Sequence, residues 1–262
     1  MHTLGYSETF KIRTYDMDAG GRASIQAVCN YLQEIASMHA AALGFSVTEL
    51  FRRNLTWVLS RLHVQMHRFP RWGDTITIET WPSTMTGLFA LREFVLRDDA
   101  TETIGLATTS WMIIDLNTKK AIEIPDFIRS VRIPEKKRAL EDPFSKLPLP
   151  GEQLYQQRFD VRRSDLDINQ HVNNVSYIEW AVEAIQADYM RDHCISGLEV
   201  SYRAECHYGD RIISKCGKYD DEPTFIHLLE REQDHQQVAV ARTRLKNIRS
   251  SGESNHSRII PG

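Results

Sequence analysis

The sequence has 262 residues, of which 42% are hydrophobic and 9% aromatic, which is enough for two domains of ordinary size with cores of their own. Its 32 Lys and Arg residues nearly balance its 35 Asp and Glu residues, so no overall field favours nucleic acid or an anionic membrane as a partner. The chain has no export signal, no apolar run of about 18 residues and no metal or disulfide spacing among its four cysteines. We therefore expect a cytoplasmic protein with reduced thiols and no membrane insertion.

Two segments of the chain carry the same motifs in the same order. The pattern Phe-x-x-Arg-x-x-Asp-x-Asp begins at Phe10 and again at Phe159, and both copies run directly into a helical pattern. Farther along, the pattern Ser-x-Leu-x-Val begins at Ser60 and again at Ser196. Because each pair of motifs keeps one constant spacing over its matched positions, we predict a duplicated domain.

Proline and charged residues separate the two copies. Five prolines and the run Glu-Lys-Lys-Arg lie within residues 125–155, a composition typical of a linker. We therefore predict an N-terminal domain, a linker, a C-terminal domain and a frayed tail, at residues 1–128, 129–152, 153–248 and 249–262 respectively.

Each copy is predicted to contain a short strand, one helix of about five turns and then four strands. In the first copy, apolar residues step by three and four over residues 28–43, and Gly44 stands where the helix would end. In the second copy they do so over residues 175–189, with Asn173 or Asn174 as the N-cap. Alternating apolar residues predict the strands that follow. The predicted fold class is α+β, with an antiparallel sheet curled around one helix in each domain.

The two copies differ at the junction between the first strand and the helix. The first copy has Asp-Ala-Gly-Gly-Arg at residues 18–22, whereas the second has Asp-Ile-Asn-Gln-His at residues 167–171, so Asn169 and His171 have no functional equivalents. Glu205 and the cysteine after it likewise stand where the first copy has phenylalanine and proline. We therefore expect a single functional site, in the second copy.

The polar residues of this junction have properties that suit acyl transfer. They precede a predicted helix, whose free N–H groups can stabilise a developing oxyanion. His171 can exchange a proton near neutral pH, and Asn169 can hold a carbonyl group or a water molecule. Asp167 and Glu205 offer two carboxylates for general-base or nucleophilic work. On residue types alone, the same loop could simply cap a helix.

The segment RRSDLDINQHVNNVSYIEW at residues 162–180, followed by LEVSYRAEC at residues 198–206, resembles the signature of plant and bacterial acyl-acyl carrier protein thioesterases. The resemblance extends from about Phe10 to about Leu245, and we expect a bacterial member, because no plastid transit peptide like that of the plant members is evident in the sequence. It implies a tandem (double) hot-dog fold that hydrolyses fatty acyl thioesters on acyl carrier protein. It implies no cofactor, because the substrate itself carries 4′-phosphopantetheine, and it is compatible with a homodimer.

Carried over position by position, the catalytic set of the family falls on Asp167, Asn169, His171 and Glu205. Cys206 falls on a position that a competing Cys-His-Asn scheme assigns as the nucleophile. We favour the carboxylates, because a thiolate nucleophile needs a depressed pKa and the adjacent Glu205 carboxylate would raise the pKa of Cys206. Which carboxylate attacks stays open at this stage.

Other residues have a functional and a structural interpretation. The resemblance implies an acyl-binding first domain, which Met17, Val28 and Leu32 would line, although for any one of them ordinary core packing is favoured by roughly two to one. His63 and His67 lie four residues apart in a predicted strand, where about 13 Å would separate them, so we predict no metal site there.

A basic cluster in the linker, at Arg129, Arg132, Lys136, Lys137 and Arg138, could dock an acidic carrier protein or simply face solvent. Three rival functions also stay open: a hot-dog hydratase or dehydratase, an acyl-thioester sensor, and a thioesterase that acts on acyl-coenzyme A. A sensor of this kind would normally carry a DNA-binding module, and none is evident in the sequence.

Overall fold

The protein is described here by a computed structural model that covers residues 5–151, 155–219 and 223–248. The predicted tail at 249–262 lies outside these residues. The helices are α1 Ile25–Ala42, α2 Val47–Phe51, α3 Asp126–Arg129, α4 Asn174–Glu183 and α5 Ala187–Asp192. The strands are β1 Tyr6–Lys11, β2 Leu55–Met66, β3 Thr75–Thr86, β4 Phe89–Arg97, β5 Thr103–Asp115, β6 Lys120–Ile122, β7 Tyr155–Asp160, β8 His193–Tyr202, β9 Arg211–Tyr219, β10 Thr224–Arg231 and β11 Gln236–Asn247.

The eleven strands form one antiparallel sheet. Its order is β1-β3-β4-β5-β2-β8-β11-β10-β9-β7, with the short β6 paired to β5. The second half of this order repeats the first half in reverse, since β7, β9, β10, β11 and β8 occupy the places of β1, β3, β4, β5 and β2. The predicted α+β class and the predicted duplication are therefore both confirmed, and the two copies share one continuous sheet.

The two halves meet where β2 pairs with β8. Leu62 lies opposite Val200 and Val64 lies opposite Leu198, with His63 opposite Glu199 between them. These are the residues that the sequence motifs matched to one another, so the two copies are related by an approximate twofold axis through the His63 and Glu199 pair. The four apolar side chains are buried in a core shared by both halves.

Helix α1 ends where its sequence predicts. Ser24 caps its N-terminus, with the hydroxyl oxygen accepting a hydrogen bond from the Ala27 N–H at 3.1 Å, and Gly44 follows its last turn with a φ of +83°. Val28 and Leu32 lie on its buried face. The helix therefore lays one apolar face on the sheet of the first half.

The predicted second helix is wrong in its length. Asn173 is its N-cap, as expected, but α4 ends at Glu183 and α5 begins only at Ala187. Ala184 and Ile185 are both buried in the break, and their N–H groups bond to carbonyls three residues back. Because the apolar spacing is satisfied by two short helices with buried side chains at the bend, the periodicity alone could not reveal the break.

The linker lies on the face of the sheet opposite the helices. Phe94 of β4 packs in the shared core, so its neighbour Glu93 points to the other face. The Glu93 side chain is fully buried and accepts hydrogen bonds from Arg138 Nε at 3.0 Å and from the Ala139 N–H at 3.1 Å. Lys136 lies 3.8 Å above the centre of the Trp81 ring. Two cations of the basic cluster therefore hold the linker to the sheet.

The described residues include no helix with the length and apolar character that crossing a membrane requires.

We predict that Glu93→Ala lowers the free energy of unfolding by about 3–5 kcal/mol, because it leaves the partly buried Arg138 guanidinium without its carboxylate partner. Urea unfolding followed by circular dichroism measures this. The matched control is Glu79→Ala, which removes the more exposed partner of Lys136 and should cost no more than about 1 kcal/mol. Equal losses for the two variants would contradict the assignment of Glu93 as the anchor of the linker.

Candidate active site

The loops before α1 and α4 have the same backbone structure. In the second half, the Asp167 N–H bonds to the His171 carbonyl at 2.7 Å, and the Gln170 N–H bonds to the Asp167 carbonyl at 3.1 Å. In the first half, the Asp18 N–H bonds to the Arg22 carbonyl at 2.7 Å, and the Gly21 N–H bonds to the Asp18 carbonyl at 3.0 Å. Gln170 and Gly21 both have a positive φ, +65° and +74°. The two loops therefore differ in their side chains and not in their course.

The Asp167 carboxylate organises its own loop. Its Oδ1 accepts hydrogen bonds from the N–H groups of Asn169 at 2.8 Å and of His171 at 3.2 Å, and its Oδ2 accepts from Asn169 Nδ2 at 3.3 Å. Three donors thus fix the carboxylate, and they fix Asn169 and His171 with it. The loop ends at Asn173, whose side-chain oxygen accepts from the Val175 N–H at 2.9 Å, so the site lies at the positive end of α4.

The segment after β8 brings Glu205 to this loop. The Val172 N–H donates to the Cys206 carbonyl at 3.0 Å, just as the Ala23 N–H donates to the Pro70 carbonyl at 2.8 Å in the first half. Glu205 Oε1 consequently lies 3.6 Å from His171 Nδ1. The structure therefore brings together Asp167, Asn169, His171 and Glu205, the four residues that the sequence analysis singled out.

His207 is a further member of the site that the sequence analysis missed. Its ring packs edge-on against the His171 ring with 5.1 Å between centroids. One side-chain atom each of His171, Glu205 and His207 lie within 4.8 Å of one another, close enough to share a metal ion. The only sequence signal for His207 was its place two residues after Glu205, and an exposed histidine beside a carboxylate has no distinctive spacing.

Cys206 points away from this polar surface. The residue is completely buried, and burial raises the pKa of its thiol to about 11. Tyr177 and Arg231 oppose this shift, but burial outweighs them, so the site does not favour the thiolate that a cysteine nucleophile needs. The geometry therefore favours the exposed carboxylate of Glu205 over the thiol of Cys206.

A small cleft lies between the two halves, next to the N-terminus of α4. It is lined by Cys29, Leu32, Gln33, Leu59, Leu62, Phe94, Thr109, Trp111, Asn174, Val175, Ile178 and Tyr202. These residues belong to the helices α1 and α4 and to the strands β2, β4, β5 and β8. Of the residues predicted to line an acyl tunnel, Leu32 lines this cleft. Val28 instead packs in the core, and Met17 packs on its edge.

Gln33 of α1 joins the first half to the candidate site across the cleft. Its Nε2 donates to Asn173 Oδ1 at 3.3 Å, and its Oε1 accepts from Asn174 Nδ2 at 3.1 Å. These contacts hold the N-terminus of α4 against the middle of α1. Residues of both helices line the cleft.

His63 lies in a strand, as predicted, and belongs to an ion-pair network on the linker face. Its Nδ1 lies 2.7 Å from Asp142 of the linker, and its Nε2 lies 3.8 Å from Glu199. These three side chains are close enough together to hold a metal ion, but the Glu199 carboxylate already accepts hydrogen bonds from Arg242. The cluster is therefore explained by its own charges. His67 lies next to the Thr103 carbonyl instead.

Comparisons with known proteins match both halves of the chain. Residues 3–131 match the acyl-ACP thioesterase N-terminal domain and residues 150–247 match the acyl-ACP thioesterase C-terminal domain. The chain is 32% identical to an oleoyl-acyl carrier protein thioesterase of Coriandrum sativum over 85% of its own length and 65% of the relative's. It is 30% identical to an oleoyl-acyl carrier protein thioesterase of Arabidopsis thaliana, over 90% of its own length and 74% of the relative's.

Solved structures agree with these matches. A 12:0-ACP thioesterase from Umbellularia californica aligns with a TM-score of 0.84 at 30% identity, over 94% of this chain and 99% of that one. An acyl-ACP thioesterase from Bacteroides thetaiotaomicron aligns with a TM-score of 0.83 at 25% identity, over 93% of this chain and 98% of that one. The tandem hot-dog fold is therefore confirmed.

We predict that Cys206 in the native protein reacts with iodoacetamide about 100-fold more slowly at pH 8 than in urea, because burial excludes the reagent and holds the thiol protonated. Peptide mass spectrometry after timed alkylation measures this. Cys29, which is buried in α1 and whose thiol pKa is raised to about 12, is the internal reference and should be equally protected. Rapid alkylation at Cys206 alone in the native protein would reveal an accessible thiolate. That result would support Cys206 as the nucleophile of a Cys-His-Asn scheme.

Proposed function

Because the chain belongs to the acyl-ACP thioesterase family, we propose that it hydrolyses fatty acyl thioesters of acyl carrier protein, releasing the free fatty acid and the holo carrier protein and so ending acyl-chain synthesis. One observation supports this most directly. His171 and Glu205 meet beside the N-terminus of α4, whose residues Asn174 and Val175 line a small, largely apolar cleft between the two halves. The second half would perform the chemistry, and the first would hold much of the acyl chain.

In this proposal, Glu205 is the general base. It is half-exposed, whereas the Asp167 carboxylate is engaged by three donors within its own loop. Glu205, with His171 beside it, removes a proton from water as the water oxygen attacks the thioester carbonyl carbon. The oxyanion that forms is stabilised by Asn169 and by the positive end of α4. When the intermediate collapses, the carbon–sulfur bond breaks, and the proton held by the base goes to the departing thiolate.

Asp167 would then act as a positioning residue, since its hydrogen bonds set the places of Asn169 and His171. The reaction needs no cofactor beyond the 4′-phosphopantetheine arm of the substrate. A cytoplasmic location and a homodimer remain predictions within the same proposal.

We predict that Glu205→Gln lowers kcat on acyl carrier protein thioesters by about 10²–10⁴-fold, because it removes the base and keeps the side-chain shape. Release of the carrier thiol is the measurement, with acyl-coenzyme A of equal chain length as the comparison substrate. Thiol release is also the step that a hydratase, a dehydratase or a sensor would not perform. The matched control is Asp18→Asn in the equivalent loop of the first half, which should leave kcat unchanged. Faster turnover of the coenzyme A ester than of the carrier ester would contradict the proposed partner.

The role of Asp167 is tested by two substitutions at the same position. Asp167→Asn keeps an oxygen that can accept from the N–H groups of Asn169 and His171, whereas Asp167→Ala removes it. We predict that the Asn variant retains at least about tenfold more kcat than the Ala variant, because the loop keeps its hydrogen bonds. If both variants are equally inactive, the charge of Asp167 takes part in the reaction, and Asp167 rather than Glu205 becomes the candidate for attack.

A further inference from the structure

One glutamine of the first half binds the helix that follows the candidate catalytic loop. Gln33 lies in the middle of α1, and its side-chain amide meets two consecutive asparagines at the N-terminus of α4. Its Nε2 donates to Asn173 Oδ1 at 3.3 Å, and its Oε1 accepts from Asn174 Nδ2 at 3.1 Å. A single side chain therefore holds both the N-cap and the first residue of α4.

These two hydrogen bonds act on the cap of α4. Asn173 Oδ1 also accepts from the Val175 N–H at 2.9 Å, which is the capping bond of the helix. Gln33 gives that oxygen a second donor, and so fixes the side-chain rotamer on which the cap depends. The Asn174 carbonyl accepts from the Tyr202 hydroxyl at 3.1 Å, so β8 holds the same turn. Groups from both halves therefore fix the first turn of α4.

The duplicated structure provides its own comparison for this contact. Ser24 and Asn173 are the N-caps of α1 and α4, and the spacing that relates them along the chain also relates Gln33 to Val182 of α4. The Val182 side chain is aliphatic and packs against the shared core, so it cannot hold the cap of α1 by hydrogen bonds. The fold therefore forms one of its two main helices without such a contact. The contact is present at the helix that carries the candidate catalytic loop.

The reaction needs a fixed distance between the two halves. In the proposed mechanism, the acyl chain lies largely in the first half, whereas His171 and Glu205 lie in the second. Gln33 and its neighbour Leu32 line the cleft together with Asn174, so the contact between the halves lies in the cleft itself. A displacement of about 1 Å between reacting groups can lower a rate by about 10²-fold. A contact that joins the halves at the N-terminus of α4 therefore bears directly on the rate.

We propose that Gln33 is a positioning residue of the reaction. By holding both asparagines, it fixes the N-terminus of α4, and with it Asn169 and His171, relative to the half that holds the acyl chain. This inference rests on the proposed thioesterase function. It makes the catalytic site depend on a side chain from the half that supplies none of the reacting groups.

Gln33→Met tests the proposal, because the Met side chain has a similar length but neither donates nor accepts these hydrogen bonds. The measurement is thiol release from an acyl carrier protein thioester over a range of concentrations. We expect kcat to fall by about 10–100-fold, because the alignment of the reacting groups is lost. KM should stay within about twofold, because the apolar lining of the cleft is kept.

Ser37→Ala is the control on the same helix. The Ser37 hydroxyl is exposed and donates to the Gln33 carbonyl at 2.9 Å, so its removal takes a hydrogen bond from α1 and leaves the Gln33 amide in place. Both kcat and KM should match those of the unsubstituted protein. An unchanged kcat in a folded Gln33→Met variant overturns the proposal, whether or not KM rises, because a raised KM alone would show a role in binding only.

Gln33→Glu is a second variant, and it keeps the shape of the side chain. Its carboxylate can accept from Asn174 but has no donor for the Asn173 oxygen. We expect a smaller fall in kcat than for Gln33→Met, again with KM kept. If circular dichroism shows that the Met variant does not fold, the Glu variant decides the question, and an unchanged kcat in a folded Glu variant overturns the proposal.

Hydrogen exchange tests the contact itself, without substrate. In Gln33→Met, the Val175 N–H that donates to the cap oxygen should exchange about tenfold faster. The Ala27 N–H, which donates to Ser24 in the cap of α1, is the internal reference and should not change. Equal exchange at Val175 with and without the substitution overturns the proposal. Absence of thiol release from any thioester before substitution would refute the proposed function, and the exchange would still show whether Gln33 fixes α4.

Discussion

The antiparallel pairing of β2 with β8 is the contact on which the rest of the structure depends. Its register places Leu62 opposite Val200 and Val64 opposite Leu198, so the apolar sides of both halves face the same way. A register shift of one residue would turn these side chains to the other face of the sheet. Because the register is kept, α1 and α4 lie on one side of a continuous sheet, where they bound a cleft. The linker is left to cross the opposite side.

The same backbone loop has two uses in the two halves. At both junctions an aspartate closes a tight turn before a helix, and a residue with positive φ completes it. In the first half the turn ends in Arg22, which is buried and serves the structure. In the second half the turn presents Asn169 and the partly exposed His171, and it lies beside Glu205. Chemistry therefore depends on side chains that an otherwise equivalent scaffold supplies only once.

Charged side chains have different kinds of partner on the two faces of the sheet. On the linker face, Glu93 meets Arg138, and Glu199 meets Arg242 and His63, so each buried carboxylate has a cationic partner. On the helix face, Arg92 has only neutral partners among the described residues. Paired charges stabilise the attachment of the linker, whereas an unpaired charge is costly in a core.

The sequence by itself determined the duplication, the α+β class, the C-terminal end of α1 and four polar residues of the candidate site, because each of these leaves a local mark. Repeated spacings reveal a copied domain, and polar residues such as Asn169 and Glu205, which stand where the other copy has Gly and Phe, reveal which copy differs. Only the tertiary structure decided the break between α4 and α5, the presence of His207 beside His171, and the place of Arg92. A helical period does not report a bend that keeps its apolar side chains buried. Contacts such as Gln33 with Asn173, or Arg92 with His39, join residues whose proximity is set by sheet register and helix packing, and no spacing along the chain encodes them.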